Sequence, residues 1–391
     1  LHNYMDFDDL KDYVKISYEL TQDGLVISKG ILPEFSVAPH GEGKTNLKIN
    51  VPENGKCYLK LIYHLKKELP LLDEDHILGF DEIEVSKEDT KCKLAEKWIP
   101  KTVVDSELQV NENDTQIHIK GREFAYTIDK RTALFTEMKF AGREYLNHPM
   151  ELNIWRAPTD NDMYIKSEWK KAHYDKAYTR AYTTEVVQGK HGVKIVSHAS
   201  VVAETVQKIL DVTITWKIDA SGKIDADIEA TKDGEFPDLP RFGVRMFLDK
   251  KLSAVRYFGM GPQESYCDKH QAASHGLYRA DVGDLHEDYI RPQENGSHYD
   301  CEYVELNNSR YGIVASAEKA FSFNASYYTQ EELEKKTHNY ELIESDSVVF
   351  CVDYALNGIG SNSCGPVVLE QYRFDDVLFR FQFTLIPYVK G

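Results

Sequence analysis

The sequence predicts an all-β protein, and three observations carry the prediction. Apolar residues alternate with polar ones along much of the chain, as in Val14, Ile16, Tyr18 and Leu20 or Val212, Ile214, Trp216 and Ile218. Short glycine turns, Asp23-Gly24 and Ser221-Gly222, follow two of these runs, as in antiparallel hairpins. Helical signals are few, and the roughly 250 residues of strand–helix alternation that a (β/α)₈ barrel needs are absent.

The elements follow in order. Val14 to Leu20 forms a strand, Asp23-Gly24 turns it, and Leu25 and Ile27 resume on the return strand. Cys57, Leu59, Leu61 and Tyr63 repeat the alternation. A charged segment ends at Trp98-Ile99-Pro100-Lys101, which sets a domain boundary between 102 and 103. Residues 1–102 have the size and short strands of an immunoglobulin-like β-sandwich, without the Cys…Trp…Cys pattern of antibody domains. Residues 103–391 form a larger all-β unit. Within it, Ser167 to Tyr178 holds a helical turn or two. Ile224, Ala226 and Ile228 pair back on the strand before Ser221-Gly222. Thr329-Gln330-Glu331-Glu332 is a capping box opening a helix to about Lys336. Asp346 to Leu356 is strongly apolar, and Phe379, Phe381, Phe383 and Leu385 close the chain as a last strand. One apolar and one polar face per strand is the mark of antiparallel sheets.

Composition narrows the partners. A net charge of −17 repels phosphate over most of the surface, which argues against nucleic acid. No stretch reaches the ~20 apolar residues of a membrane span. The six cysteines, at 57, 92, 267, 301, 351 and 364, form no C-x-x-C and no zinc spacing. They fit a reducing compartment, and a cytoplasmic location is expected. Leu1-His2-Asn3-Tyr4 has no initiator Met and no signal core, and reads as the cut end of a longer chain.

Four runs have a composition that neither plain strands nor helices use. They are Trp155-Arg156-Ala157-Pro158-Thr159-Asp160-Asn161-Asp162, Gly259-Met260-Gly261-Pro262-Gln263-Glu264-Ser265-Tyr266, Pro292-Gln293-Glu294-Asn295-Gly296 and Gly358-Ile359-Gly360-Ser361-Asn362-Ser363-Cys364-Gly365-Pro366. Asp160 and Asp162 bracket Asn161. Such a loop either orients sugar hydroxyls by paired hydrogen bonds or ties itself to Arg156 as a structural corner. Glu264 and Glu294 each follow Pro-Gln. They would serve as acid and nucleophile of a retaining glycosidase only if they stood about 5 Å apart; otherwise they are ordinary loop residues. His270 and His275 sit near Asp268 and either form a general-base cluster or are solvated surface. Gly259 to Pro262 is no dinucleotide loop, because proline removes an N–H and no βαβ unit surrounds it. The glycine loop at 358–366 either lines a binding site or only connects strands.

Together, in this order and spacing, the four runs resemble the C-terminal portion of bacterial β-galactosidases of glycoside hydrolase family 2, the large lactose-cleaving type. Trp155 to Asp162 is similar to the family's W-R-A-P-x-D-N-D tract, Gly259 to Tyr266 to G-x-G-P-x-E-x-Y, Pro292 to Gly296 to P-x-E-N-G, and 358–366 to a late glycine loop. The resemblance implies an immunoglobulin-like sandwich followed by a large β-supersandwich similar to galactose mutarotase. It places both catalytic glutamates and an essential magnesium site in a barrel upstream of this chain. No catalytic residue and no metal ligand is then expected here. The segment is expected to supply a wall of the active-site pocket and an assembly surface for a homo-oligomer. Cys364 falls where a Trp stacks on the sugar in the family's best-known member, so it is the one residue expected to touch substrate. A thiol offers only a small apolar contact and a weak donor. Arg156, Asp160, Asn161, Asp162, Glu264, Glu294 and Asn295 are expected to be structural motif residues. Two other readings stay open: a free-standing carbohydrate-binding module, and a mutarotase-like sugar epimerase using His270, His275 and Glu294.

Overall fold

The computed structural model describes residues 1–87, 90, 92–98 and 108–390. The expected boundary between 102 and 103 lies outside the described residues. Two compact units form, Leu1–Leu94 with His275–Leu277, and Ala95–Ser274 with Tyr278–Gly391.

In the first unit a short helix, α1 (Leu10–Tyr13), leads into β1 (Val14–Gln22). β2 (Leu25–Ile31), β3 (Cys57–Leu65) and β4 (Ile77–Glu84) complete an antiparallel sheet in the order β2-β1-β3-β4. The β1–β2 hairpin closes on Gln22↔Leu25. Asp23 and Gly24 both take positive φ, 47° and 77°, as a two-residue turn matched to strand twist requires. Ile16, Leu20, Leu32, Val37, Cys57, Tyr58 and Leu65 are buried and form this unit's core.

The second unit stacks two antiparallel sheets. The smaller runs β5 (Gln109–Glu112), β6 (Gln116–Lys120), β7 (Phe124–Asp129), β8 (Leu134–Phe140) and β9 (Arg143–Glu144), in chain order. The larger is built from β10 (Leu146–Asn153), β11 (Tyr178–Gly189), β12 (Gly192–Val202), β13 (Leu210–Asp219), β14 (Ile224–Lys232), β15 (Arg241–Asp249), β16 (Ala254–Gly261), β17 (Ser274–Asp281), β18 (Ser297–Asn307), β19 (Tyr311–Ser326), β20 (Ser347–Leu356) and β21 (Leu378–Val389). Its spatial order is β10-β15-β20-β19-β21-β14-β13-β12-β11, and β16, paired with β17 and β18, joins through β18 to β19. Two short helices interrupt the strands, α2 (Ile165–Lys171) and α3 (Gln330–Lys335). α3 starts where the capping box places it, with Thr329 Oγ1 accepting from the Glu332 N–H at 3.1 Å.

Alternation explains how the sheets stack. β13 and β14 bury every second side chain, and that face meets the smaller sheet. Trp216 is fully buried, donates from Nε1 to Ala133 O at 2.8 Å, and meets Phe135 edge-on at 4.9 Å. Tyr126 reaches back to Gly222 O at 2.7 Å. Trp216→Ala leaves a large cavity and an orphaned carbonyl, so a loss of about 3–5 kcal/mol in unfolding free energy is expected. Denaturant titration measures it.

β15 and β20 behave differently, being buried along nearly their whole length on both faces. Loops cover the side of the sheet that solvent would otherwise wet. The charged residues those loops must meet are Arg241 and Arg245 on β15 and Asp353 on β20, all buried. The β15–β20 register slips between Phe242 and Gly243. A Cβ on Gly243 would lie 2.4 Å from Asp353 Oδ1. Glycine here makes room for the carboxylate.

Candidate functional site

All four runs meet on the second unit, and hydrogen bonds lace them into a closed circuit. The first run supplies Arg156, whose side chain is wholly buried. Its Nε and Nη2 donate to Asp162 at 3.2 and 2.7 Å, its Nη1 donates to Asn357 O, and its Nη2 also reaches Gly358 O at 3.1 Å. The same Asp162 carboxylate accepts from the Thr159 N–H at 2.9 Å and Thr159 Oγ1 at 3.1 Å, which winds the tract into a single turn. Asn161 spans to the late glycine loop, donating to Gly360 O at 2.7 Å and accepting from the Ser363 N–H at 3.3 Å. Gly360 takes φ 68°, a conformation glycine adopts without cost.

The remaining links complete the ring. Asp268, two residues past the second run, accepts from the Ile359 and Gly360 N–H groups at 2.9 and 2.7 Å. The third run joins the first through Glu294 N to Ala157 O at 3.0 Å and through Asp160 N to Gln293 Oε1 at 3.0 Å. The second joins the third through the Gly296 N–H to Glu264 Oε2 at 2.9 Å. Asn295 braces its own loop, accepting from the Glu287 N–H at 3.0 Å and donating to Gln293 O at 2.9 Å.

Beneath the ring lies a second buried charge cluster. Arg241 forks onto Asp353 at 3.2 and 2.5 Å and reaches Glu294 Oε2 at 3.3 Å. All three side chains are at most 2% exposed. Burial alone would lower the Arg241 guanidinium, but Asp353 and Glu294 beside it hold it well above its ordinary value, whereas burial raises the Asp353 carboxyl despite the same arginine.

The two glutamates that share a Pro-Gln preface face opposite environments. Glu264 accepts from Lys269 Nζ, Tyr289 OH and the Gly296 N–H. Burial would raise its pKa, and these donors outweigh burial and lower it. Glu294 is more deeply buried, its Oε1 has no partner among the described residues, and burial raises it despite Arg241 and Arg156. The linkage signs follow. A lowered folded pKa adds stability that is present above the unfolded value and lost as pH falls through the folded one. A raised folded pKa adds stability that is present below the unfolded value and lost as pH rises through the folded one. Glu264→Gln is therefore expected to flatten the acid limb of a stability–pH profile. Glu294→Gln is expected to flatten the fall that begins above the ordinary glutamate range. Melting temperatures across pH test both.

The structure thus brings together Arg156, Asp162, Asn161, Glu264, Glu294 and Asn295. Asp160 stands exposed at the rim, touching Gln293 through Nε2 at 3.4 Å. Cys364 is exposed on the late loop. The corner therefore depends on Asp162, with Asp160 left to face solvent. His270 donates from Nδ1 to Tyr266 O, 3.0 Å away. His275 belongs with the first unit and Glu294 with the second. Arg241 and Asp353 carry no motif. The only sequence signal for them is a charge set at a buried position of an apolar strand. Among the described residues no cluster of three or more His, Cys, Asp or Glu side chains is arranged to hold a metal ion. No described helix is long and apolar enough to cross a membrane.

A large two-layered antiparallel unit, with its inter-strand loops joined by hydrogen bonds into one rim, defines a class of β-domain that presents loops from a packed scaffold. The sequence comparisons give the family. The profile described as "Beta galactosidase small chain" matches residues 120–385, and "Beta-galactosidase, domain 4" matches residues 1–86. The chain belongs to the β-galactosidase small-chain family. A β-galactosidase of Actinobacillus pleuropneumoniae is 43% identical over 389 residues, covering 99% of this chain and 37% of that protein. One from Staphylococcus xylosus is 30% identical over 390 residues, covering 98% and 38%. The chain thus spans little more than a third of the length of these relatives. Among solved structures, a galactose 1-epimerase from Lactobacillus acidophilus NCFM aligns over 73% of this chain and 99% of its own, at 10% identity and a TM-score of 0.37.

Proposed function

We propose that this chain is the C-terminal, non-barrel portion of a retaining β-galactosidase acting on terminal β-D-galactosyl residues of lactose-type substrates. The observation that carries the reading is the 43% identity to a β-galactosidase over 99% of the chain. The laced loop ring supports a division of labour within such an enzyme. Its exposed edge, with Asp160 and the Cys364 loop, would form a fixed wall of the sugar pocket. The barrel would hold the two reacting glutamates and the magnesium ion. Galactosyl transfer to one carboxylate, then release to water activated by the other, would take place there. Glu264 and Glu294 would act as supports, since Glu264 is bonded to the Gly296 N–H within the ring and Glu294 to Arg241 beneath it. Homo-oligomer formation and a cytoplasmic location belong to the same proposal.

The test is hydrolysis of a chromogenic β-galactoside. The chain alone is expected to give no turnover, and the chain joined to the barrel-bearing remainder of the enzyme is expected to give full turnover. Turnover by the chain alone that disappears in Glu264→Gln or Glu294→Gln would overturn the proposal.

A further inference from the structure

A basic cluster stands out on a chain whose net charge is −17. Lys97 sits on the single turn Glu96–Trp98, which packs on the large sheet. Trp98 stacks on Tyr388 of β21 at 3.7 Å and donates from Nε1 to Tyr303 OH of β18 at 3.2 Å. The Lys97 ammonium lies 4.6 Å from the Trp98 ring centre and 5.9 Å from that of Tyr303. Three further cations stand near it. Arg256 is on β16, Arg279 is on the neighbouring β17, and Lys390 follows β21. Bonds from Lys390 Nζ to Asn307 Oδ1 and Asn308 O, at 3.1 and 2.9 Å, fix its position. Burial lowers the Lys97 ammonium, and so does Arg256; Lys390 and Arg279 add to this, with Glu305 opposing.

The acid placed to answer these charges is engaged elsewhere. Arg256 and Glu305 are partners across the β16–β18 ladder, so their side chains share one face of the sheet. Glu305 instead accepts from Tyr303 OH at 2.5 Å and from Tyr388 OH. Arg256 makes no hydrogen bond or ion pair among the described residues, although its Nε is buried. Arg279 is exposed and likewise has no carboxylate partner among the described residues. Glu96, on the turn itself, is exposed. A buried guanidinium N–H without an acceptor, inside a group of like charges, calls for an anion. Two planar arginine forks and two ammonium point charges suit a tetrahedral oxyanion, whose several oxygens can meet them from different sides. The acidic surface around the cluster repels a long polyanion, so the field favours a small one.

We propose that Lys97, Arg256, Arg279 and Lys390 form a binding site for a small phosphate-type oxyanion, as the free ion or as the phosphate of a monoester. None of the four runs contributes to it, and the inference does not depend on the hydrolase reading.

The experiment is calorimetric titration of this chain with inorganic phosphate and with glucose 6-phosphate, at constant ionic strength balanced by chloride. Saturable binding with a Kd at or below about 1 mM is expected. Equal affinities assign the free oxyanion, and an advantage of about tenfold or more for the ester assigns a phosphorylated small molecule. Arg256→Gln is expected to weaken binding by about tenfold or more, and Arg279→Gln, at an exposed side chain, severalfold. Lys190→Gln, at an exposed position between β11 and β12, is expected to bind as the parent does. Circular dichroism confirms that each variant is folded. The proposal falls if neither anion gives saturable heat below about 10 mM, if Arg256→Gln and Arg279→Gln both bind like the parent, or if Lys190→Gln weakens binding as much as they do.

Discussion

Arg241→Met is expected to be among the most destabilising single changes in the chain, costing about 3–5 kcal/mol of unfolding free energy. The reason is what it leaves behind. Asp353 and Glu294 are both buried against Arg241, at 2.5 and 3.3 Å. Without the guanidinium, two carboxylates face each other in a dry site. Neither can regain water, because loops cover the β15–β20 face. The comparison that isolates the charge effect is the double change Arg241→Met with Asp353→Leu. Replacing both partners of a buried pair by apolar side chains is often neutral, so the double variant is expected to recover most of the loss. Urea denaturation of the two variants decides it. A single-variant loss under about 1 kcal/mol would mean that the cluster is solvated and that the burial argument fails. Glu294→Gln should be mild by the same logic. Its carboxyl is already raised by burial, and an amide keeps the shape while removing a charge the site disfavours.

That cluster also marks where the sequence stops being legible. The strands could be read because their information is local. Val212 to Ile218 alternates over seven residues, and the half-buried sheet reproduces that alternation residue by residue. The capping box at Thr329 carries its own geometry within four residues. The four runs were visible because Pro, Gly, Asn and Asp crowd in them, although the second begins inside β16. Their mutual contacts were not visible. Arg156 and Asn357 lie 201 residues apart, and Arg241 and Asp353 lie 112 apart. Nothing in either segment encodes its partner, since any buried arginine would accept any carboxylate. The choice between Asp160 and Asp162 was undecidable for a related reason. Two acids flank one amide, and only the turn closed by Thr159 determines which of them points inward. The change of neighbour along β19 is less legible still. Ser316 pairs with Thr384 of β21 and Ser322 with Asp353 of β20, and no residue in 317–321 announces that by type.

Arg156→Lys should show whether the rim acts as one body. Lysine keeps the charge but loses the planar fork that reaches Asp162, Asn357 O and Gly358 O together. The expected loss of stability is about 2–4 kcal/mol, because two carbonyls and part of a buried carboxylate lose their donors. The location of the effect matters more than its size. The Ile359 and Gly360 amides are held by Asp268, not by Arg156. If the loops are one mechanical unit, hydrogen exchange at those two amides accelerates in Arg156→Lys although their own acceptor is untouched. If the loops are independent, exchange there stays at the parent rate and only global stability falls. In the proposed whole enzyme the same variant would separate support from contact. If the rim forms a wall of the sugar pocket as proposed, loosening it is expected to lower kcat/KM on a β-galactoside by roughly tenfold or more, since small misplacements of a pocket wall are amplified in the reaction barrier. Asp160→Asn changes only the exposed rim residue and leaves the fork in place. A large activity loss in Asp160→Asn with normal exchange at Ile359 and Gly360 would assign sugar contact to the rim. A large loss in Arg156→Lys with accelerated exchange would assign the tract to holding the wall in position.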